Sequence, residues 1–154
     1  MIRALDLRCT RTRRAVLGVS LDAYRHEAEL LGLSEFPPLG ETLEDLNGNL
    51  HLFWGHDQEG ELSGVIELNV SPDLVEICRL VVKPAKFRLG IGSALVQAAI
   101  DLGQALQVMT AQANVPAIKL SERHGFQIVH VDERRVVGLP LVTLKRPASI
   151  AKGT

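Results

Sequence analysis

Apolar positions recur along this chain in two different periods, and the alternation of those periods sets out its elements. Residues 2–7 alternate weakly and predict a short first strand. Val16, Leu17, Leu21, Tyr24, Ala28 and Leu31 then recur at helical spacing. Thr10 is the predicted N-cap of that helix, and Gly32 its stop just past the last turn. Phe36-Pro37-Pro38-Leu39-Gly40 cannot be regular helix, because two prolines remove donors and fix the backbone. Thr42 caps a short helix over residues 43–46, with Glu44 and Asp45 in the turn where the helix dipole favours acid.

Three strands follow, at residues 51–54, 62–70 and 74–82, divided by polar turns at 57–60 and 71–73. They read as an antiparallel meander. The third is nearly continuous in apolar residues, which predicts burial on both faces. Helix and strand then alternate. Residues 90–102 form a helix with Ile91, Leu95, Ala98, Ala99 and Leu102 on one face. Residues 106–111 are a strand. A helix opens at Pro116 and stops at Gly125. Residues 126–131 and 135–144 are the last strands, separated by a polar turn, and residues 147–154 form a frayed tail. The strand-helix-strand unit over 74–111 implies two adjacent parallel strands joined by a right-handed crossover.

Composition narrows the function classes. The chain has 154 residues, 46% hydrophobic and 23% charged, so one domain over residues 1–154 can bury its own core. Aromatic residues make up 4%, too few for the stacking platforms of a single-strand nucleic-acid binder. The formal net charge of -1 draws neither nucleic acid nor an anionic membrane. Arg3, Arg8, Arg11, Arg13 and Arg14 cluster at the start, and read as a solvated face. Cys9 and Cys78 are the only cysteines and suggest no disulfide framework. With no apolar run of membrane-spanning length, the expectation is a cytoplasmic protein.

The segment Phe87-Arg88-Leu89-Gly90-Ile91-Gly92-Ser93-Ala94 carries the candidate chemistry. A helix N-terminus offers unpaired N–H groups and the positive end of the helix dipole to an anion. Gly90 and Gly92 let a ligand approach the backbone, Ser93 adds a hydroxyl, and Arg88 adds charge. The segment is neither a Walker A loop nor the dinucleotide fingerprint, since Leu95 stands where a third glycine would fall. On spacing alone, a tight turn packed against a strand explains the glycines equally well.

The run Glu76-Ile77-Cys78-Arg79-Leu80-Val81-Val82-Lys83-Pro84-Ala85-Lys86, continued through the glycine segment to Leu95, resembles motif A of the GNAT superfamily of N-acetyltransferases. Asn114, Ala117, Leu120 and Gly125-Phe126 resemble the family's downstream segment. The resemblance implies an α/β (α+β) fold with a mixed sheet of about seven strands, helices on both faces and two central parallel strands that splay apart. It implies acetyl-CoA as cosubstrate and no metal. Leu80, Val81 and Val82 would pair with the pantetheine arm, residues 87–94 would wrap the pyrophosphate, and Asn114 would contact the cofactor near its thiol. The Val82 N–H would polarise the thioester carbonyl. The acceptor would be an amine of a small molecule or peptide, approaching past Tyr24, Glu27, Phe36 and Pro37. The last strands would be the place for a homodimer to form.

Three positions depart from the family pattern. Phe87 stands where Gln or Arg is usual, with Arg88 one place on. Ser121 replaces a proton-donating Tyr, and Met109 replaces a Glu base. Glu76 is the first candidate base and Glu67 the second; Glu76 reads equally as the solvated start of a strand. Ser121 is a weak candidate that could order a water. His51 and His56 fall on opposite faces and make no metal pair. His124 fits a helix C-terminus as a cation, while Phe53 and Trp54 read as core. The missing Tyr and Glu leave a second reading open, an acyl-CoA-binding module without catalysis.

Overall fold

The computed structural model describes residues 1–136 and 139–149, and only the backbone of 134–136. Its elements are β1 (Ile2–Ala4), α1 (Thr10–Leu31), α2 (Leu43–Leu46), β2 (Leu52–Gln58), β3 (Glu61–Val70), β4 (Leu74–Val82), α3 (Ile91–Ile100), β5 (Ala105–Ala111), α4 (Val115–Arg123), β6 (Gln127–Val136) and β7 (Leu139–Arg146). Short 3-10 turns occupy Pro37–Gly40 and Pro84–Lys86. The seven strands form one sheet in the order β1-β2-β3-β4-β5-β7-β6. Among the described strands only β4 and β5 run parallel; every other neighbouring pair is antiparallel. The expected mixed α/β sheet with an antiparallel meander is therefore present.

Each face of the sheet buries its own apolar cluster. Ile91, Leu95, Val96 and Ala99 of α3 pack on Ile66, Leu68, Val75, Ile77 and Leu106, with Ile118 and Leu120 of α4 against the same group. Val16 and Val19 of α1 and Leu46 of α2 pack on Phe53, Val65 and Val81 of the opposite face. The first turn of α3 lies very close to β3. A Cβ on Gly64 would sit 2.5 Å from Ile91 Cγ2, so only glycine admits the helix at that distance.

Several expectations need correction. Cys9 rather than Thr10 holds the N-cap of α1, without a side-chain cap bond, and Thr10 is the first helical residue, its hydroxyl accepting from Arg13 at 3.1 Å. β1 stops at Ala4, since Leu5 and Leu7 turn inward to the core. β2 extends to Gln58, which leaves only Glu59 and Gly60 in the turn; both have positive φ (55° and 78°), as a two-residue hairpin requires. β4 is not buried on both faces: Cys78 is exposed, and Glu76, Leu80 and Val82 are half-buried. β6 runs on to Val136 through the polar residues expected to turn, because it is an edge strand with water at its side. β7 inserts between β5 and β6. At the tail, Ser149 donates its N–H to the Gly103 carbonyl at 3.1 Å, so the described part is anchored; residues 150–154 lie outside the described residues.

Candidate cofactor cleft and acceptor face

The parallel pair comes apart partway along. β4 and β5 are matched from Leu74↔Ala105 to Ile77↔Val108 and no further, although β4 continues to Val82 and β5 to Ala111. Beyond Ile77 the β5 side of β4 therefore borders a gap. Lys83 donates its N–H to the Ser63 carbonyl of the β3 side at 2.8 Å. Backbone direction alternates along an antiparallel strand, so Val81 also turns its amide to β3, while Leu80 and Val82 turn theirs into the gap. Of the three strand residues named from sequence, two face the gap with their backbone and the third is used by the sheet.

The register on β3 shifts between Glu67 and Leu68, opposite Cys78. This bulge switches the phase of β4. Ile77, Leu80 and Val82 belong to the α3 face, whereas Arg79 and Val81 belong to the α1 face. Cys78 sits at the apex of the gap, in no disulfide, its thiol donating to the Glu76 carbonyl at 3.7 Å. Burial, with Glu67 and Glu76 nearby, pushes that thiol up, so it stays protonated at neutral pH.

The open end of the gap carries the glycine segment. Gly90 is the N-cap of α3 in the left-handed region, φ 78°, and Arg88 two residues earlier also has φ 68°. A non-glycine residue held there marks a constrained loop. Gly92 lies in the first turn, where an added Cβ would touch Leu120 Cδ2 at 3.4 Å and Val82 Cγ2 at 3.7 Å. Its lack of a side chain keeps open the slot between β4 and α4. Ser93 Oγ lies 2.7 Å from His124 Nε2, so the start of α3 is tied to the end of α4. Burial, then Arg123 and Arg146, pushes His124 down. The expected C-terminal cation is thus a neutral ring. Phe87 and Leu89 are exposed, and Phe87 makes an edge contact with His26 of α1, centroids 5.0 Å apart.

Asn114 caps α4, its Oδ1 accepting from the Ala117 N–H at 3.3 Å. Its amide donates to Glu27 Oε1 of α1 at 3.0 Å, so α1 and α4 are joined across the mouth of the cleft. Burial pushes the Glu27 carboxyl up, partly offset by that bond. Asn114→Ala removes the cap and the tie together. We expect a loss of about 1–2 kcal/mol and a thermal midpoint lower by about 2–8 °C, read by calorimetry. An unchanged midpoint would mean that neither contact supports the fold.

The face under α1 and α2 holds a buried polar cluster. The Arg79 guanidinium bonds Glu41 (2.6 and 2.7 Å), Glu67 Oε1 (3.0 Å) and Ser20 Oγ (2.9 Å), and lies over the Phe53 ring. Glu67 Oε2 is reached by Asn49 Nδ2 at 3.2 Å and by His51 Nδ1 at 2.6 Å. Burial alone would raise the Glu67 carboxyl; the His51 bond, the Arg79 charge and the Asn49 bond together bring it below its ordinary value. His51, Glu67 and Cys78 place one nitrogen, one oxygen and one sulfur within 4.8 Å of one another, a donor set that could take a metal ion. Both oxygens of Glu67 are already engaged, so the group reads first as a hydrogen-bonded set. Glu76 pairs with Gln107 in the last matched rungs before the apex, with Gln107 Nε2 3.4 Å from its Oε2. Met109 is exposed just beyond. Tyr24 packs edge-on to Phe36, and burial pushes its phenol up to about 12. Tyr24, Pro37, Pro38 and Glu41 line a shallow cavity of about 310 Å³. Ser121 lies on α4, half-buried, its carbonyl accepting from His124 and Phe126.

Sequence reasoning did not find the joining of His51 to Glu67, nor that of Glu27 to Asn114. Each partnership spans different elements, and no spacing along the chain encodes it. The one signal within reach was the period of 2, which put Glu67 and Arg79 on paired strands.

Comparison with known proteins agrees with this geometry. Over 130 residues the chain is 38% identical to the UPF0157 protein YqkA of Bacillus subtilis (strain 168), a match that covers 82% of this chain and 38% of YqkA. The chain thus spans well under half of that relative. Among solved structures, it resembles the PaiA N-acetyltransferase of Thermoplasma acidophilum in complex with coenzyme A, with TM-score 0.78, 19% identity, 96% of this chain and 98% of that one. It also resembles the ribosomal-protein-S18-alanine N-acetyltransferase of Escherichia coli, with TM-score 0.73, 20% identity, 100% of this chain and 97% of that one. At such identities these likenesses speak for the fold. The sequence model of the acetyltransferase (GNAT) family matches residues 20–126, more than half of the chain. On that match, supported by the splayed strands and the glycine-opened helix, the chain belongs to the acetyltransferase (GNAT) family.

Proposed function

We propose that the protein transfers an acetyl group from acetyl-CoA directly to a primary amine of a small molecule or peptide. The observation that carries this reading is the gap between β4 and β5, which opens at one end on the left-handed turn at Gly90 and at the other on a polar, solvent-reached face. The residues fit the donor. N–H groups at the start of α3 and the slot at Gly92 would hold the pyrophosphate, with Arg88 at its rim. Leu80 and Val82 offer free backbone groups along the gap, and their N–H donors are available to a thioester carbonyl. Bound there, acetyl-CoA supplies an activated acyl group on a good leaving thiolate.

Glu76, half-buried beside the apex, attracts the ammonium form of the acceptor. Ser121 has a minor part at most, since it sits on α4 across the gap from this face. Asn114 lies at the mouth, where the donor would displace its contact with Glu27. A second copy paired along the exposed edge of β6, where Ile128 and Val129 face solvent, belongs to the same reading. The test is thiol release from acetyl-CoA against a panel of amines, with calorimetry of coenzyme A binding alongside. We expect micromolar binding and at least one amine that accelerates release. Binding without acceleration by any amine would sink the transfer reading.

A further inference from the structure

We propose that His51, held in one tautomer by Glu67, takes the proton from the acceptor amine. This rests on the transfer reading above. The buried Glu67 carboxyl lies below its ordinary value and is ionised at neutral pH, so at 2.6 Å from His51 Nδ1 it can only accept. Nδ1 of the neutral ring therefore carries the hydrogen, and Nε2 is left with its lone pair. The carboxylate cannot swing away, because Arg79 holds Oε1 at 3.0 Å and Asn49 holds Oε2 at 3.2 Å. An imidazole whose second nitrogen is fixed by a buried carboxylate is the arrangement that makes a directed base.

Position supports the same role. His51, Glu67 and Cys78 lie within 4.8 Å of one another, and Cys78 is the first β4 residue past the last rung shared with β5. The ring thus stands beside the apex, on the α1 face of the sheet, with 37% of its side chain exposed. The groups around it are Glu67 and Asn49 in contact, Cys78 beside it, and Arg79 and Glu76 beyond. Cys78 is held as a thiol and is a bystander. Glu76 is the charge that draws the ammonium in, and histidine titrates closer to neutral pH than a carboxylate does, which suits a base working there.

The step balances as follows. The ammonium gives one proton to Nε2. The freed lone pair forms the N–C bond as the C–S bond breaks, with its electron pair passing to sulfur. The second N–H proton ends on that sulfur, and the first leaves the imidazolium for water. Glu67 acts only through His51 and is a positioning residue.

Nitrogen NMR of the free protein tests the tautomer without any turnover: a hydrogen on Nδ1 and a bare Nε2 are expected, and a hydrogen on Nε2 would overturn the proposal. His51→Ala and His51→Gln should both lower kcat/KM by about 10²–10⁴-fold and lose the acid limb of the pH profile, while coenzyme A affinity is unchanged. Added imidazole should restore part of the rate in His51→Ala. An active wild type with an equally active His51→Ala overturns this assignment alone. A wild type that binds coenzyme A but acetylates no amine overturns the transfer reading and this assignment with it.

Discussion

Gly90→Val is expected to weaken coenzyme A binding by two to four orders of magnitude while the domain stays folded. Gly90 has φ 78° at the N-cap of α3, a conformation that costs an L-residue about 1–2 kcal/mol, and a β-branched one more. The variant relieves that strain by turning φ negative, which re-aims the N–H groups that open the helix. A hydrogen bond to a charged acceptor contributes about 1.5–3 kcal/mol, so two lost bonds amount to about 3–6 kcal/mol, or 10²–10⁴ in affinity. Gly92→Ala is the control. Its Cβ fits at 3.4 Å from Leu120 and 3.7 Å from Val82, and alanine favours the helix by about 1 kcal/mol. That variant should be at least as stable as the parent, with a smaller loss of affinity from narrowing the slot. Titration calorimetry with coenzyme A and urea unfolding separate the two effects. A Gly90→Val protein that binds within threefold of the parent would remove the glycine turn from the site.

Much of the fold was legible because local chemistry and burial agree. Pro37-Pro38, the capping Thr42 and the glycines at 32 and 125 punctuate the chain where the structure breaks it. The strand-helix-strand unit at the glycine turn forced the parallel pair, and that pair opens into the cleft. The placement of β7 between β5 and β6 was not legible, since a hairpin of two strands can meet β5 with either one and only tertiary packing chooses their order. The phase switch at Cys78 was hidden for a related reason. A bulge depends on the partner strand, so an apolar run read alone looked buried on both sides. The glycine turn proposed for the cofactor follows chain order and was readable as motif. The proposed acceptor face is assembled from the segment before β2, from β3 and β4 and from the segment before α2, so its partnerships appear only in space.

Arg79→Ala should destabilise the protein by about 3–5 kcal/mol, the cost of leaving a buried charge without its partner. That is a large share of a typical total of about 5–15 kcal/mol. The guanidinium is 7% exposed, between Glu41 at 16% and Glu67 at 7%. Two carboxylates share it, and its loss leaves Glu41 without its ion pair and Glu67 with only His51 and Asn49. The pH dependence should also weaken. In the parent, the Glu67 carboxyl is lower in the folded state than in the unfolded chain. Its contribution is therefore complete above the unfolded value and is lost as pH falls through the folded one, so stability drops below about pH 4. In the variant the Arg79 charge and bond are gone while the His51 and Asn49 bonds remain, so the folded-state carboxyl moves up toward its unfolded value. The stability lost on acidification below about pH 4 should therefore be smaller than in the parent. Urea unfolding at pH 3 and pH 7 should show a smaller difference between the two pH values in the variant than in the parent. Adding Glu67→Gln to it should recover stability at pH 7, because a neutral amide no longer needs a counter-charge. A variant whose stability is unaffected by that second change would show that Glu67 is not the group stranded, and would place the cost on Glu41 and the contact with Phe53 instead.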